Sequence, residues 1–155
     1  MLRVATAADA HPLAVLINDA FRVEAFFKIG DRTSADEIIQ LMSAGEFLVL
    51  DGTSGELYGA AYLSCRGERA YFGMLSIDPS KQGTGLGRGL VTAVEARARE
   101  RGCRFMDIHI VNLREELPAY YRRLGYVEQG TLPFSEPARA SRPCHFIVMT
   151  KALSS

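Results

Sequence analysis

The chain has 155 residues, of which 48% are hydrophobic and 23% charged. This composition predicts one compact domain over residues 1–155 with a sizeable core, and it excludes a disordered or collagen-like chain. Eighteen Lys and Arg residues balance eighteen Asp and Glu residues, so no overall positive field favours nucleic acid or an anionic membrane. Any anion-binding site must therefore be local.

The cysteines and the apolar runs bear on the class of protein. Cys65, Cys103 and Cys144 are far apart and form no Cys-x-x-Cys pair, which predicts reduced thiols and no metal site. The N-terminal residues lack the apolar core of a signal peptide, and no apolar run approaches the roughly 20 residues that cross a bilayer. We therefore expect a cytoplasmic protein without a membrane partner.

The first third of the chain predicts a short strand and two helices. Residues 3–5 form the strand. The run Thr6-Ala7-Ala8-Asp9 has helix-capping chemistry, and apolar residues follow it at helical spacing. Ser34, with Glu37 three residues later, predicts the start of a second helix that ends at Gly45.

The middle of the chain predicts strands that lead into a glycine-rich segment. Residues 47–50, 57–65 and 70–77 are separated by turn residues and predict an antiparallel meander. After the glycines, apolar residues from Leu90 onward mark a helix, and residues 104–111 mark the next strand. Because strand-helix-strand crossovers are nearly always right-handed and parallel, strands 70–77 and 104–111 should be neighbours in a mixed sheet.

The last third predicts a short helix over residues 116–124 and two strands over residues 126–131 and 145–151. A proline-rich segment, residues 132–143, separates these two strands. We therefore expect the chain to end in strands that join the same sheet.

The segment Gln82-Gly83-Thr84-Gly85-Leu86-Gly87-Arg88-Gly89 places four of the 14 glycines at alternate positions between a strand and a helix. Without Cβ atoms, successive backbone N–H groups can turn toward one anion at the helix N-terminus. The segment predicts a phosphate-binding loop, with a purely structural turn as the alternative. It matches neither the Walker spacing nor G-x-G-x-x-G, so nucleoside triphosphates and NAD are disfavoured.

Two segments carry a resemblance to a known family. Gln82-x-x-Gly85-x-Gly87, preceded by Leu75-Ser76-Ile77-Asp78-Pro79, resembles the coenzyme A pyrophosphate loop of the GNAT N-acetyltransferase superfamily. Ala119-Tyr120-Tyr121-Arg122-Arg123-Leu124-Gly125-Tyr126 is similar to the aromatic-Tyr-x-x-Leu-Gly-aromatic ending of the same superfamily. The order of predicted elements also matches, so the resemblance covers nearly the whole chain.

The resemblance implies an α/β (α+β) fold of the GNAT type. Its sheet would be mixed, mostly antiparallel and twisted, with about six to seven strands, a splayed parallel pair at the centre and about four flanking helices. It also implies transfer of the acetyl group of acetyl-CoA to a primary amine of a small molecule, peptide or protein, by direct attack within a ternary complex. A non-catalytic acyl-CoA-binding sensor or interaction module is the alternative. We expect neither a metal cofactor nor a nucleic-acid partner. Whether the outer strands pair in a homodimer is not decided by the sequence.

The resemblance assigns roles to individual residues. Tyr121 aligns with the proton donor to the departing thiolate, with a tyrosine that only packs against the sheet as the alternative. The residues that it implies for binding coenzyme A are Leu75, Ser76, Ile77, Gln82, Gly83, Thr84, Gly85, Leu86, Gly87, Arg88, Asn112 and Tyr121.

A base is also needed, because a primary amine is mostly protonated at pH 7. Strand alternation places Asp107 and His109 on one face. Asp107 matches a position where some GNAT enzymes carry a Glu base, whereas His109 has the more suitable ordinary pKa, near 6.5. The alternative is that Asp107 and His109 are only polar residues on a partly solvent-exposed strand face. The acidic residue that other members carry before the loop is missing, since Tyr71-Phe72-Gly73-Met74 stands there.

Weaker candidates for binding the acceptor amine are Glu24, Phe27 and His145. Glu24 or Asp31 facing the cleft would favour a cationic acceptor. Arg139 and Arg142 would instead favour an acceptor with a carboxylate or a phosphate. The sequence does not decide between these two kinds of acceptor.

Overall fold

A computed structural model describes residues 2–153 as a seven-stranded sheet with helices on both faces. The strands are β1 (Leu2–Val4), β2 (Glu46–Asp51), β3 (Leu57–Arg66), β4 (Arg69–Ile77), β5 (Phe105–Val111), β6 (Val127–Pro133) and β7 (His145–Ala152). The helices are α1 (Ala10–Ala20), α2 (Ala35–Leu41), α3 (Leu86–Glu100) and α4 (Leu117–Arg123). Short 3-10 turns lie at Ala7–Asp9, Phe21–Glu24, Pro79–Lys81 and Pro137–Arg139. The predicted fold class is confirmed.

The strands lie in the order β1-β2-β3-β4-β5-β7-β6, and β4 and β5 form the single parallel pair within residues 2–153. Their pairing covers three positions, from Arg69 opposite Phe105 to Tyr71 opposite Asp107. Beyond Tyr71 the two strands separate, so their backbone edges face each other across a wedge. The predicted splayed pair at the centre of the sheet is thus confirmed.

A β-bulge lies in β4 just after the strands separate. Tyr62 of β3 pairs with Gly73, but Ala60 pairs with Ser76, so β4 contains one extra residue. At the bulge, Met74 has φ of +54°, and it is the one non-glycine residue with positive φ among residues 2–153. Such a conformation costs free energy and persists where its surroundings impose it, often at functional sites.

Two apolar clusters lie on opposite faces of the sheet. On one face, α3 and α4 bury residues such as Val94 and Tyr121 against Met106 of β5 and Met149 of β7. On the other face, α1 and α2 pack against β2 and β3. The second cluster does not extend to β7 or β6 within the described chain. The α3 and α4 cluster therefore connects the two halves of the sheet.

Helix α3 begins earlier than the apolar pattern predicts. The pattern starts at Leu90, whereas the helix starts at Leu86, so Gly87 and Gly89 lie in its first turn rather than in the loop. The difference arises because only residues that face the sheet contribute to the apolar pattern. Within residues 2–153, no helix combines the length and hydropathy of a membrane span.

Candidate active site

The wedge between β4 and β5 opens into a cleft of about 540 Å³. One end of the cleft is lined by Leu75, Ile77, Gln82 and Gly87, and we call it the loop end. Helix α4 supplies Tyr121 to its middle. The opposite end, which we call the acceptor end, lies among the segment after α1, the end of β5 and the segment after β6.

The glycine segment forms the loop end of the cleft. Gly83 and Gly85 have φ of +80° and +85°, and no heavy atom lies within 4 Å of the position that a Cβ would occupy on either residue. Gly85 is the N-cap of α3, and its carbonyl accepts from the N–H of Gly89 at 3.1 Å. An α-helix leaves its first N–H groups without an intrahelical acceptor, here those of Leu86, Gly87 and Arg88. The combination of open space, free N–H groups and the helix dipole suits an anion.

Side chains in and beside this loop bond to the backbone of the loop and of the end of β4. The Ser76 hydroxyl donates to the Met74 carbonyl at 2.9 Å, and the Thr84 hydroxyl donates to the Lys81 carbonyl at 2.6 Å. The Gln82 amide donates to the Ile77 carbonyl at 3.3 Å. These bonds hold the loop in place and leave its backbone N–H groups as the binding surface.

Tyr121 is buried in the middle of the cleft wall. Its ring packs against those of Phe72, Tyr120 and Tyr126, with centroids 5.1 to 6.1 Å apart. Its hydroxyl has no hydrogen-bond partner among residues 2–153 and lines the cleft. Burial raises the pKa of Tyr121 above its ordinary value, so the phenol is protonated at neutral pH and can donate to a bound group.

The two candidate bases on β5 have different surroundings. Asp107 lies 2.6 Å from Arg69 in an ion pair and accepts from the Thr150 hydroxyl at 2.6 Å. The hydrogen bond to Arg69 is the main reason that the pKa of Asp107 is lowered. Asp107 does not line the cleft among the described residues.

His109 does line the cleft. Its ring lies 4.9 Å from that of Tyr71 and 5.7 Å from that of Phe146, measured between centroids. His109 is exposed on its outer side, but partial desolvation of the ring lowers its pKa, an effect that the charge of Asp107 partly opposes. The imidazole is therefore neutral at pH 7 and able to accept a proton.

Of the remaining candidates from the sequence, one lines the cleft and the others lie outside it. Glu24 lines the cleft and is buried, but its carboxylate lies 2.9 Å from Arg114. Phe27 is fully buried and lies outside the cleft lining. His145 also lies outside it, and its backbone N–H donates to the Asn112 side-chain oxygen at 2.8 Å. That oxygen of Asn112 is thus already bonded to β7.

The cleft includes residues that sequence reasoning missed. Lys28, Arg32, Tyr71, Phe134 and Phe146 all line it. Strand alternation could have placed Tyr71 on the face of the sheet that carries His109. No sequence signal could have identified Lys28, Arg32 and Phe134, because they lie in irregular segments that only the tertiary fold brings together. Within residues 2–153, no three His, Cys, Asp or Glu side chains are grouped as metal ligands would be.

Comparisons with known proteins agree with the geometry. The model of the acetyltransferase (GNAT) family matches residues 15–126. Blasticidin-S acetyltransferase of Streptomyces morookaense is 31% identical over 91 residues, which cover 58% of this chain and 65% of that protein. The match thus spans less than two thirds of the length of this curated relative.

Solved structures show the same fold. The ribosomal-protein-S18-alanine N-acetyltransferase of Escherichia coli superposes with a TM-score of 0.81 at 16% identity, covering 100% of this chain and 94% of that one. The structure of yncA from Salmonella typhimurium, solved with its cofactor acetyl-CoA, superposes with a TM-score of 0.76 at 20% identity, covering 100% and 94%.

Proposed function

Since the chain belongs to the acetyltransferase (GNAT) family, we propose that it transfers the acetyl group of acetyl-CoA to a primary amine. One observation carries the proposal: a single cleft joins the glycine loop and α3 N-terminus to the unpartnered hydroxyl of Tyr121 and the ring of His109. A binding site for an anionic cofactor and groups suited to proton transfer therefore share one space.

The residues of the loop end fit coenzyme A. Backbone N–H groups between residues 82 and 88 would bind the pyrophosphate, because the glycine positions leave room for it and the helix N-terminus attracts negative charge. The edge of β4 at residues 75–77 is free of β5, and the pantetheine arm would pair with it like an added strand. Acetyl-CoA then supplies an activated acetyl group as a thioester.

Proton transfers would involve two side chains. The neutral imidazole of His109 would take a proton from the acceptor amine, and Tyr121 would donate one to the departing thiolate. A backbone N–H on the free edge of β4, next to the bulge at Met74, would donate to the acetyl carbonyl oxygen, where one such bond contributes about 10²–10³ in rate. We assign the base to His109 rather than Asp107, because Asp107 is ion-paired outside the cleft.

Thiol release from acetyl-CoA in the presence of amines tests the proposal. The assay should cover amino acids, polyamines, other small amines and peptides with free N-termini. We expect release that depends on an amine, and we expect Gly85→Glu to abolish coenzyme A binding in a calorimetric titration, because its carboxylate would occupy the anion site. Tight coenzyme A binding without release from any amine would instead support the acyl-CoA-binding module.

A further inference from the structure

The acceptor end of the cleft contains two cations without counter-ions. Lys28 and Arg32 are partly buried and line the cleft. Within residues 2–153 neither forms an ion pair. The Lys28 ammonium lies 5.8 Å from the centre of the Phe134 ring, and the Arg32 guanidinium lies 5.3 Å from that of Phe21. Both charges are therefore held against aromatic rings and face the space that a ligand would enter.

The carboxylates that line the cleft are already paired with other cations. Glu24 and Glu116 both lie 2.9 Å from Arg114. Glu136 lies 3.5 Å from Arg139. Of Glu24, Asp31, Arg139 and Arg142, only Glu24 lines the cleft, and it is ion-paired with Arg114, which also pairs with Glu116. The cleft therefore offers no unpaired carboxylate, among the described residues, for a cationic acceptor.

The two free cations also affect each other. Burial is the main reason that the pKa of Lys28 is lowered, and the positive charge of Arg32 lowers it further. Glu24 and Glu136 oppose this effect only in part. Like charges held close together in a partly desolvated site are stabilised when an anion binds between them.

We infer that the acceptor is a small amine that also carries a carboxylate, which Lys28 and Arg32 bind. This inference rests on the proposed acetyl transfer. The rings of Phe134 and Phe146, whose centroids lie 5.2 Å apart, would contact an apolar side chain of the acceptor. The amine would then lie near His109, which is 5.7 Å from Phe146.

The reaction with this acceptor balances without a further reactant. The amine nitrogen forms a bond to the acetyl carbon, and the carbon–sulfur bond of the thioester breaks. One proton passes from the neutral amine to His109, and Tyr121 gives one to the thiolate. Transfer of the proton of His109 to the Tyr121 phenolate through solvent then restores both side chains. The products are an N-acetylated amino acid and free coenzyme A.

Matched pairs of acceptors test the inference in the thiol-release assay. L-phenylalanine and L-phenylalaninamide, and L-methionine and L-methioninamide, differ in that a neutral carboxamide replaces the carboxylate, and putrescine supplies a cationic amine. The amides have the less basic amines, so intrinsic reactivity favours them. We expect the acids to have kcat/KM values about 10- to 100-fold higher than their amides, as for hydrogen bonds between charged groups.

Variants connect this preference to the two cations. We expect Lys28→Gln and Arg32→Gln to raise KM for the acids about tenfold or more, with kcat nearly unchanged and the amides unaffected. Arg32→Glu should reverse the preference toward the amides and putrescine. Arg142→Gln is the matched control, because Arg142 is exposed and lies outside the cleft, and it should keep the parent preference.

Two results would overturn the inference while leaving acetyl transfer intact. One is equal use of acids and amides by the parent protein, and the other is a preference for acids that survives in both Gln variants. Absence of thiol release with every amine would overturn the proposed function itself, and this inference with it.

Discussion

At the scale of single residues, the hydroxyl of Tyr121 gives the sharpest test of the proposed chemistry. It has no partner among residues 2–153, so Tyr121→Phe should leave folding nearly unchanged. Because the phenol would donate the proton to the thiolate, we expect kcat to fall about 10²-fold or more while KM for acetyl-CoA changes little. Tyr58→Phe, outside the cleft, is the control for removal of a phenol. Undiminished turnover in Tyr121→Phe would remove the assignment.

The pH dependence of kcat/KM tests His109. Partial desolvation of its ring favours the neutral imidazole, so its pKa in the folded protein lies below the ordinary value of about 6.5. As pH rises through that lowered pKa the base becomes available, and kcat/KM should rise and level off before pH 7. We expect His109→Gln to remove this acid limb and to lower kcat/KM about 10²-fold. His11→Gln, on the exposed surface of α1, should retain the limb.

The same measurement separates His109 from Asp107. Asp107→Asn breaks an ion pair with the half-exposed Arg69, which should lower the free energy of unfolding by less than about 1 kcal/mol. The limb in the pH profile should remain. A limb that disappears in Asp107→Asn and persists in His109→Gln would reassign the base to Asp107.

Single residues also show how far the sequence predicts the site. Tyr121 and the glycines could be identified because contiguous segments carry them, and Tyr121 and Gly87 both line the cleft. Lys28 and Arg32 could not be identified, because they lie in irregular segments that no periodic pattern covers. Their partner rings, Phe134 and Phe21, are not their neighbours in sequence. Glu24 was a candidate, yet its pairing with Arg114 spans 90 positions. Only the tertiary fold shows that it is ion-paired.

At the scale of elements, the N-terminus of α3 can be tested against an equivalent glycine elsewhere. Gly85 and Gly55 have φ of +85° and +87° and open space around them, but Gly55 lies in the turn between β2 and β3. Alanine at either position should cost about 1 kcal/mol of unfolding free energy, because left-handed φ strains a residue with a Cβ. Only Gly85→Ala should also raise KM for acetyl-CoA. Equal KM values in both variants would contradict a role for this loop in binding.

The elements themselves were largely predictable. Apolar periodicity located the helices and most strands, and crossover handedness predicted the parallel pairing of β4 with β5. The start of α3 was wrong by four positions because glycines leave no apolar pattern. The insertion of β7 between β5 and β6 had no local signal, since it depends on which edges meet after the chain has collapsed. The bulge at Met74 likewise reflects pairing with β3, which the sequence of β4 alone does not reveal.

At the scale of the whole molecule, a buried polar network connects α3 to the last strands. Glu95 is buried, accepts from the Tyr126 hydroxyl at 2.8 Å and lies 3.0 Å from Lys151 of β7. Lys151→Met would leave the Glu95 carboxylate without its cation, so we expect the free energy of unfolding to fall by about 3 kcal/mol. Urea denaturation measures the change.

A surface pair supplies the control for this network. Arg122 lies 3.4 Å from Glu128, and both side chains are about half exposed, so Arg122→Met should cost less than about 1 kcal/mol. Adding Glu95→Gln to Lys151→Met should restore part of the lost stability, because the unpaired charge is removed. Similar losses in both single variants would mean that burial of Glu95 contributes little.

The short parallel contact between β4 and β5 has a mechanical consequence. Three backbone pairings join β4 to β5, and the apolar cluster under α3 and α4 spans this seam on one face. On the other face, the ion pair of Arg69 with Asp107 and the contact between the Tyr71 and His109 rings cross it. The seam is therefore held by side-chain contacts on both faces and resists bending. A bulkier acceptor would have to bend the sheet about these three pairs, and the stiffness of this bend would set the upper limit on acceptor size.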